Sequence, residues 1–177
     1  MAIPATTGTN CWTQAEDLMV TVLTGCSSLL PFLGVADVPA ALAGNMYLDS
    51  MGRQPEEFAD ADWIAKFPSV IIGTPGSEAG AFSLRSVATG PAFNATGVIE
   101  VIFSVLVNSV DPIEEQERDF KNSVGLIMEE MTYQLMAMQD ITVQQYGRAE
   151  PDDVERLGEI LGCWIQVPWG TEVEDES

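Results

Sequence analysis

The sequence predicts an α+β fold in a single domain, with a mixed or antiparallel β-sheet and two longer helices packed on one of its faces. Three segments carry this prediction: residues 98–107 alternate as a strand, residues 111–138 follow as a long amphipathic helix, and residues 13–30 form an earlier one. The chain has 177 residues, 46% of them hydrophobic, which suffices for one core. We place the domain at 13–170, between an N-terminal arm at 1–12 and an acidic, disordered tail at 171–177.

The strand 98–107 is apolar on both faces, which is typical of the centre of a sheet covered by helices. Asp111 is expected to cap the helix that follows, and Pro112 suits its first position. The apolar stripe of this helix is Phe120, Val124, Ile127, Met131, Leu135 and Met138. The methionines Met128, Met131, Met136 and Met138 are expected to be adaptable core residues.

The N-terminal helix is predicted over 13–30, from a capping box at Thr13 and Glu16 to the residue before Pro31. Residues 31–45 are expected to be mostly irregular, and 46–49 to form a short strand. Further strands are predicted at 67–72, 81–87 and 141–146. The segments 50–62, 73–80 and 88–97 are predicted to be loops because they are rich in turn residues or charge.

The C-terminal part is predicted to contain a short helix and a closing strand. The run from Glu150 to Asp153 resembles a helix start, Val154 and Leu157 would face inward, and Gly162 would end the helix. Residues 163–169 alternate as a strand, and Pro168 indicates an edge or terminal position.

Charge is the strongest compositional feature, with a formal net charge of −20 at pH 7. Binding to nucleic-acid phosphates requires lysine and arginine, which are scarce here, so the composition argues against it. Two interpretations remain: adaptation to high salt, and an acidic surface that DNA passes without adhering. The scarcity of lysine along the whole chain, only Lys66 and Lys121, favours adaptation to salt.

No residue pattern indicates catalysis, a cofactor or a bound metal. The chain has no histidine, which removes the commonest general base and zinc ligand, and Trp63 stands where a Ser-x-x-Lys motif ending at Lys66 requires serine. We therefore expect no enzymatic activity. The acidic segment 50–62 is predicted to be a solvated loop, with a divalent-cation site as the minor alternative because its spacing departs from the EF-hand pattern.

Cys26 and Cys163 fall at apolar positions and are expected to be small buried residues, with a Cys11–Cys26 bridge left open. The chain lacks an uninterrupted apolar run of about 20 residues and a signal-peptide pattern at its start, so we expect a soluble protein made in the cytoplasm. Trp12 and Trp63 are expected to pack internally. For Trp164 and Trp169, core packing and a subunit interface remain equal alternatives.

The order of predicted elements resembles the tail terminator proteins of long-tailed viruses, which cap the tail tube and join it to the head. The resemblance is carried by the helix 13–30, the segment 67–72 entering a glycine-rich loop, the segment 97–107, the helix 111–138 and the closing segment 162–169. The match lies in the order of the elements and extends over most of the chain. With the acidic, lysine-poor composition, it implies a virus of a halophilic host.

The resemblance implies a hexameric ring of this chain that contacts the tail tube protein and a neck or stopper protein. Genomic DNA would pass through its lumen without sequence-specific binding, and the protein would reside in the virion after assembly in the host cytoplasm, with no membrane partner. The residues that we expect at interfaces are Glu56, Glu57, Asp60, Glu78, Arg85, Glu100, Trp164 and Trp169. The alternatives are another head–tail connector, such as a stopper or head-completion protein, and an acidic binding domain for a basic partner.

Overall fold

A computed structural model of the chain describes residues 11–48, 67–73, 82–86, 92–137, 145–146, 150–157 and 159–174. Its helices are α1 (Cys11–Thr24), α2 (Leu29–Leu33), α3 (Val38–Gly44) and α4 (Ile113–Ala137). Its strands are β1 (Met46–Leu48), β2 (Ser69–Gly73), β3 (Phe82–Ser86), β4 (Ala92–Leu106), β5 (Gln145–Tyr146), β6 (Glu150–Leu157) and β7 (Ile160–Glu174). The predicted α+β class is confirmed.

The strands form one mixed sheet in the order β1-β2-β4-β7-β5, with β3 also paired to β4 and β6 also paired to β7. β1 runs parallel to β2, and the other pairs are antiparallel. The centre is the long pairing of β4 with β7, from Ala92 opposite Glu174 to Leu106 opposite Ile160. The predicted central strand is therefore confirmed, although it begins at Ala92 and so includes residues expected to form a connection.

The core lies between one face of this sheet and the helices, and we call this face of the sheet the helix face. It carries Val70, Ile72, Ile99, Val101, Phe103, Leu161, Cys163, Ile165 and Val167, all at most 2% exposed. The opposite face, the outer face, carries the alternate residues of the same strands. Phe32 of α2 contacts Phe103 edge-on, with ring centroids 5.7 Å apart, and Phe120 of α4 at 6.2 Å. This aromatic contact ties α2 and α4 to the sheet.

The N-terminal helix differs from its prediction in length and bounds. α1 begins two residues earlier, at Cys11, and ends at Thr24, where Gly25 disfavours continuation. A separate short helix, α2, then runs through Pro31. Proline is tolerated there because it is the third residue of α2, and the amides of a first helical turn have no partner within the helix.

The prediction of irregular structure over 31–45 is wrong, because α3 forms within it. Asp37 precedes α3 in an extended conformation, and its side chain accepts a hydrogen bond of 2.8 Å from the Ala40 amide. Pro39 lies in the first turn, where it is compatible with a helix. Asp37 and Pro39 together are the helix-start signal that the sequence prediction overlooked.

The helix predicted from Glu150 is also wrong, since residues 150–157 form β6 and Gly162 lies within β7. Leu157 pairs directly with Ile160, so β6 and β7 are antiparallel neighbours in both the sequence and the sheet. The register shifts between Pro151 and Val154, which marks an irregularity or bulge at the acidic pair that suggested a helix start.

β7 is not the edge strand that Pro168 suggested. On the side away from β4, β6 pairs with β7 up to Gln166 and β5 pairs with it from Trp169, in the described part of the chain. Pro168 lies between these two partners, where its missing N–H is tolerated. β7 also continues to Glu174, so it takes in residues 171–174 of the predicted disordered tail, and α1 takes in the end of the predicted arm.

Candidate subunit interface

The position of α4 is set by a hydrogen-bonded turn between β4 and the helix. The Asn108 side chain accepts hydrogen bonds from the Val110 and Asp111 amides, both 2.9 Å, and its amide group donates to the Asp111 carboxylate at 2.8 Å. Gln116, one turn into α4, accepts from the Asn108 amide and donates to the Asp111 carbonyl at 2.7 Å. The carboxylate of Asp111, which was predicted to cap α4, thus stabilises the turn, and α4 begins at Ile113.

The inward stripe of α4 is the predicted one. Phe120, Val124, Ile127 and Met131 are buried and Leu135 is partly buried in the core, while Met138 lies outside the described residues. Met128 also packs against the core, but Met136 is 67% exposed. The expectation of a core role for Met136 is therefore wrong.

A charged side chain fastens α4 to the start of α2. The Glu130 carboxylate accepts hydrogen bonds from the Ser28 amide at 3.0 Å, the Ser28 hydroxyl at 2.8 Å and the Ser27 hydroxyl at 2.7 Å. These bonds, that of the Ser28 amide foremost, hold the pKa of Glu130 below its usual value. The carboxylate also satisfies orphan donors at the first turn of a short helix.

The cysteine beside this anchor is inert by environment. Cys26 is buried, and its thiol donates to the Val22 carbonyl at 3.3 Å. Burial, with a smaller contribution from the charge of Glu130, raises the pKa of Cys26 to about 12. Cys26 and Cys163 are both buried, as predicted, and neither forms a disulfide, so the Cys11–Cys26 bridge is not formed.

Two adjacent rows on the outer face of the sheet differ in polarity. Across one row, Ile71, Ile102 and Trp164 are neighbours on β2, β4 and β7, and the two isoleucines are buried. One row further, Glu100 is half-buried opposite the exposed Gln166. In these two rows, Trp164, Glu100 and Gln166 are the residues that remain at least half-exposed.

Trp164 covers a glycine on this outer face. A Cβ atom on Gly162 would lie 2.8 Å from the Trp164 ring, so the indole occupies the space directly over the glycine. An aromatic side chain packed over a strand glycine in this way fills the space that the missing side chain leaves. Trp164 remains half-exposed and is available for a contact.

The predicted interface residues have different outcomes. Trp169 is 3% exposed and packs in the core, so for this residue the core alternative is the right one. Trp164 and Glu100 lie together on the outer face. Arg85 pairs in register with Asn94 where β3 joins β4, away from that row. Glu56, Glu57, Asp60 and Glu78 lie outside the described residues.

The structure exposes large apolar side chains that the sequence analysis did not select. Among the described residues they are Leu42, Leu48, Val110, Leu126, Tyr133 and Met136. Three of them, Leu126, Tyr133 and Met136, share the outward side of α4. In the sequence these three residues form a second apolar stripe, offset from the inward one. The methionine-rich composition of this region favoured the prediction of core residues instead.

The part of the chain that the structure describes contains no group of three or more potential metal-ligating side chains. Within the same residues, no helix combines the length and apolarity needed to cross a bilayer. The segment 50–62, considered for a divalent cation, lies outside them. The described residues that are open to solvent include half-exposed residues on the outer face of the sheet and exposed apolar residues on α4, α3 and β1.

Comparison with known proteins gives no family for the chain. No model of a known protein family matches it. No curated protein is significantly similar to it in sequence.

Proposed function

We propose that this chain is a subunit of a tail terminator, a homo-hexameric ring that caps the tail tube of a long-tailed virus and joins it to the head or neck. Its partners would be further copies of itself, the tail tube protein and a neck or stopper protein. The α+β fold with a long central strand and helix is the architecture that the resemblance implies. The proposed location is the virion, after assembly in the cytoplasm of a halophilic host.

The observation that carries the proposal is the presence of exposed apolar patches on a chain of net charge −20. A protein that works as a monomer in solution gains nothing from large exposed apolar side chains grouped on one helix, whereas an assembling subunit buries them. A closed ring requires two different patches on each subunit, because each copy meets its neighbours through unlike surfaces. The patch on α4 and the pair Leu42 and Leu48 meet that requirement.

The charge supports the passage of DNA without binding. Fixed carboxylates facing a lumen repel duplex phosphates, and in about 1 M salt this repulsion acts only within about 3 Å. Glu100, half-buried beside Gln166 on the outer face of the sheet, is our candidate for a lumen residue. DNA would therefore slide past the surface instead of being held at a distance.

The test of this proposal is localisation in virus particles that carry the gene. We expect electron microscopy with an antibody against the chain to label the junction of head and tail, and quantitative mass spectrometry of purified particles to give six copies per virion. Absence from purified particles would contradict the proposal. Label at the junction with twelve copies would favour a different connector ring.

An acidic binding domain for a basic partner is the second candidate, and the net charge of −20 favours it. Light scattering in molar salt separates the two. A chain that stays monomeric at every concentration and forms a one-to-one complex with a basic protein fits the binding domain. A hexamer fits the ring.

A further inference from the structure

A short segment between α1 and α3 is bounded by two glycines. It comprises residues 26–33, which contain most of the turn after α1 and all of α2, and we call it the strap. Gly25 precedes the strap and is exposed, and Gly34 follows it in the left-handed conformation at φ 67°. Glycine accommodates a change of backbone direction at low steric cost, so the strap has a joint at each end.

The backbone of the strap makes local hydrogen bonds. In the described part of the chain, its backbone–backbone bonds connect it only to positions 23–35, whereas β4 pairs with β7 along 15 residues. α2 has five residues, too few to be stable as a helix without packing. The position of the strap therefore depends on what it contacts in the rest of the protein.

The apolar side of the strap packs on the core. Leu29 and Leu33 are buried, and Phe32 contacts the rings of Phe103 and Phe120. Release of the strap exposes these side chains to water, so the closed position is favoured at equilibrium. Opening is consequently a rare event, of the kind that proteins undergo locally while the rest of the core stays intact.

One side of α4 holds the polar start of the strap. Glu130 accepts hydrogen bonds from the Ser27 hydroxyl and from the hydroxyl and amide of Ser28, at 2.7 to 3.0 Å. Hydrogen bonds to a charged carboxylate are roughly twice as strong as those between neutral groups. Gln134, one turn further along α4, donates to the Cys26 thiol at 3.8 Å. We call Glu130 and Gln134 the latch, because together they hold the first three residues of the strap.

The latch also covers the first joint. A Cβ atom on Gly25 would lie 2.5 Å from Oε1 of Gln134, so the amide group of this side chain lies directly against the glycine backbone. The joint and the latch are therefore adjacent. Departure of Gln134 uncovers the point at which the strap would turn.

The Cys26 thiol lies behind the latch and reports its state. Cys26 is 2% exposed, although its neighbours Gly25 and Ser27 are exposed. The groups close to its sulfur include the Gln134 amide at 3.8 Å and the Ile127 carbonyl at 3.9 Å, both from α4. A reagent in solution therefore reaches this thiol when the strap moves away from α4.

We propose that the strap is a hinged and latched segment: when Glu130 and Gln134 release it, it turns away from α4 at Gly25 and Gly34 as a unit, while β2, β4 and β7 remain paired. The fold thereby has two states, which differ in whether α2 covers the rings of Phe103 and Phe120. Opening is a property of a single copy of the chain, so it does not depend on the proposed ring.

The experiment measures how fast iodoacetamide modifies Cys26 in the full-length chain in molar salt, with peptide mass spectrometry to separate this thiol from the other cysteines. When opening and closing are fast relative to modification, the rate is proportional to the population of the open state. We expect Cys26 to react at least about tenfold faster than global unfolding, measured by circular dichroism in urea, permits. Its rate should also depend less on urea than global unfolding does, since opening of the strap exposes less surface.

Two charge variants test the latch. Glu130→Gln keeps the shape of the side chain and weakens its hydrogen bonds, so the rate at Cys26 should rise about threefold to fivefold. Glu129→Gln is the matched control, because it removes the same charge from the neighbouring exposed position, and the rate should stay that of wild type.

A sheet variant tests whether the strap opens by itself. Ile102→Val trims a buried side chain on the outer face, on the other side of the sheet from the strap. The population of globally unfolded protein should rise about fivefold. The rate at Cys26 should remain unchanged, because the sheet around Ile102 is intact in both the closed and the open state.

Three results overturn the hinged strap. A thiol that reacts no faster than global unfolding permits, with the same dependence on urea, means that the strap opens only with the whole fold. A wild-type rate in Glu130→Gln means that the latch does not hold the strap. A rate that rises in Ile102→Val as much as the unfolded population does means that the sheet opens together with the strap. Each of these results leaves the test for the chain in virus particles unaffected.

Discussion

The two faces of the sheet share the same strands but differ in composition and burial. On the helix face, Val101 and Ile165 are fully buried neighbours, as are their counterparts along β4 and β7. On the outer face, the buried Ile102 lies opposite the half-exposed Trp164, and the next row pairs Glu100 with Gln166. The helix face therefore contributes to the stability of the fold alone. The other combines apolar support with polar residues that remain open to contact.

The difference teaches that an apolar strand does not by itself reveal which face is used for contact. Strand β4 carries valine, isoleucine or leucine on both of its faces. What separates the faces is their neighbours: helices α1, α2 and α4 cover one of them uniformly. Mutations on the two faces should accordingly differ in the size of their effects and in what they affect.

The largest effect is expected on the helix face, from Phe103→Ala. The ring is fully buried and contacts Phe32 of α2, so its removal leaves a cavity beneath two helices. We expect the free energy of unfolding to fall by about 3–5 kcal/mol. Urea denaturation in molar salt measures the change.

Val98→Ala is the matched substitution on the outer face, because Val98 is half-buried on the same strand. It should cost about 1 kcal/mol, in proportion to the methyl groups withdrawn from a partly covered site. Val101→Ala removes the same methyl groups from a fully buried position on the helix face, and equal losses from the two valine variants would contradict the contrast between the faces.

An intermediate effect is expected on the outer face from Gly162→Ala. The added methyl group would lie 2.8 Å from the Trp164 ring, which must then move off the strand. We expect a loss of about 1–3 kcal/mol from this overpacking. The measurement is urea denaturation of the two single variants, Gly162→Ala and Trp164→Leu, and of the double variant.

The double variant tests the stated cause. Leucine is too short to reach the methyl group, so Gly162→Ala should cost little in the Trp164→Leu background, and the two changes should show a coupling energy of about 1 kcal/mol or more. Additive effects would mean that the indole does not constrain Gly162. Because Trp164 lies away from the helix layer, neither change should alter the Phe32–Phe103 contact.

The elements with long, regular residue patterns were predicted correctly from the sequence. The errors lie in short segments, where a local pattern competes with pairing to a distant strand or was not recognised. β4 and α4 were found because ten or more residues repeat one period. The helix predicted at 150–157 is a strand because pairing with β7 outweighs the helix-start pattern of Pro151 and its acidic neighbours. The turn residue Gly158, between Leu157 and Ile160 in the sequence, was the local signal for that pairing. α3 was overlooked although Asp37 and Pro39 form an ordinary helix start.

The candidate interface was predictable only in part. Trp164 was selected from its alternation with Cys163 and Ile165, but Trp169 shares the phase of those buried residues and lies in the core. The exposed apolar residues of α4, Leu126, Tyr133 and Met136, were overlooked because exposure depends on which side of the helix the sheet covers. The sequence shows two apolar stripes on α4, and only the packing against α1 and β7 decides which one is buried.

The smallest effect is expected from the polar link within the helix layer, Glu130→Gln. The charged carboxylate accepts three hydrogen bonds from Ser27 and Ser28, and a neutral amide replaces them only in part. Since the site is half-exposed, we expect a loss of about 1 kcal/mol or less at pH 7. Glu129→Gln, at the exposed neighbouring position, removes the same charge without the anchor and should leave stability unchanged or raise it slightly by reducing self-repulsion.

The pH dependence of this loss distinguishes the anchor from packing. Hydrogen bonds from Ser28 and Ser27 hold the pKa of Glu130 in the folded protein below its usual value, so the carboxylate stabilises the fold above that usual value, and the stabilisation disappears as pH falls through the folded pKa. The difference in unfolding free energy between wild type and Glu130→Gln should therefore be constant above about pH 6 and shrink in acid. Urea titrations of both proteins from pH 7 to pH 3 measure it. A difference that persists unchanged at pH 3 would assign the effect of Glu130 to its shape and not to its charge, and the helix layer would then be held by apolar contacts alone.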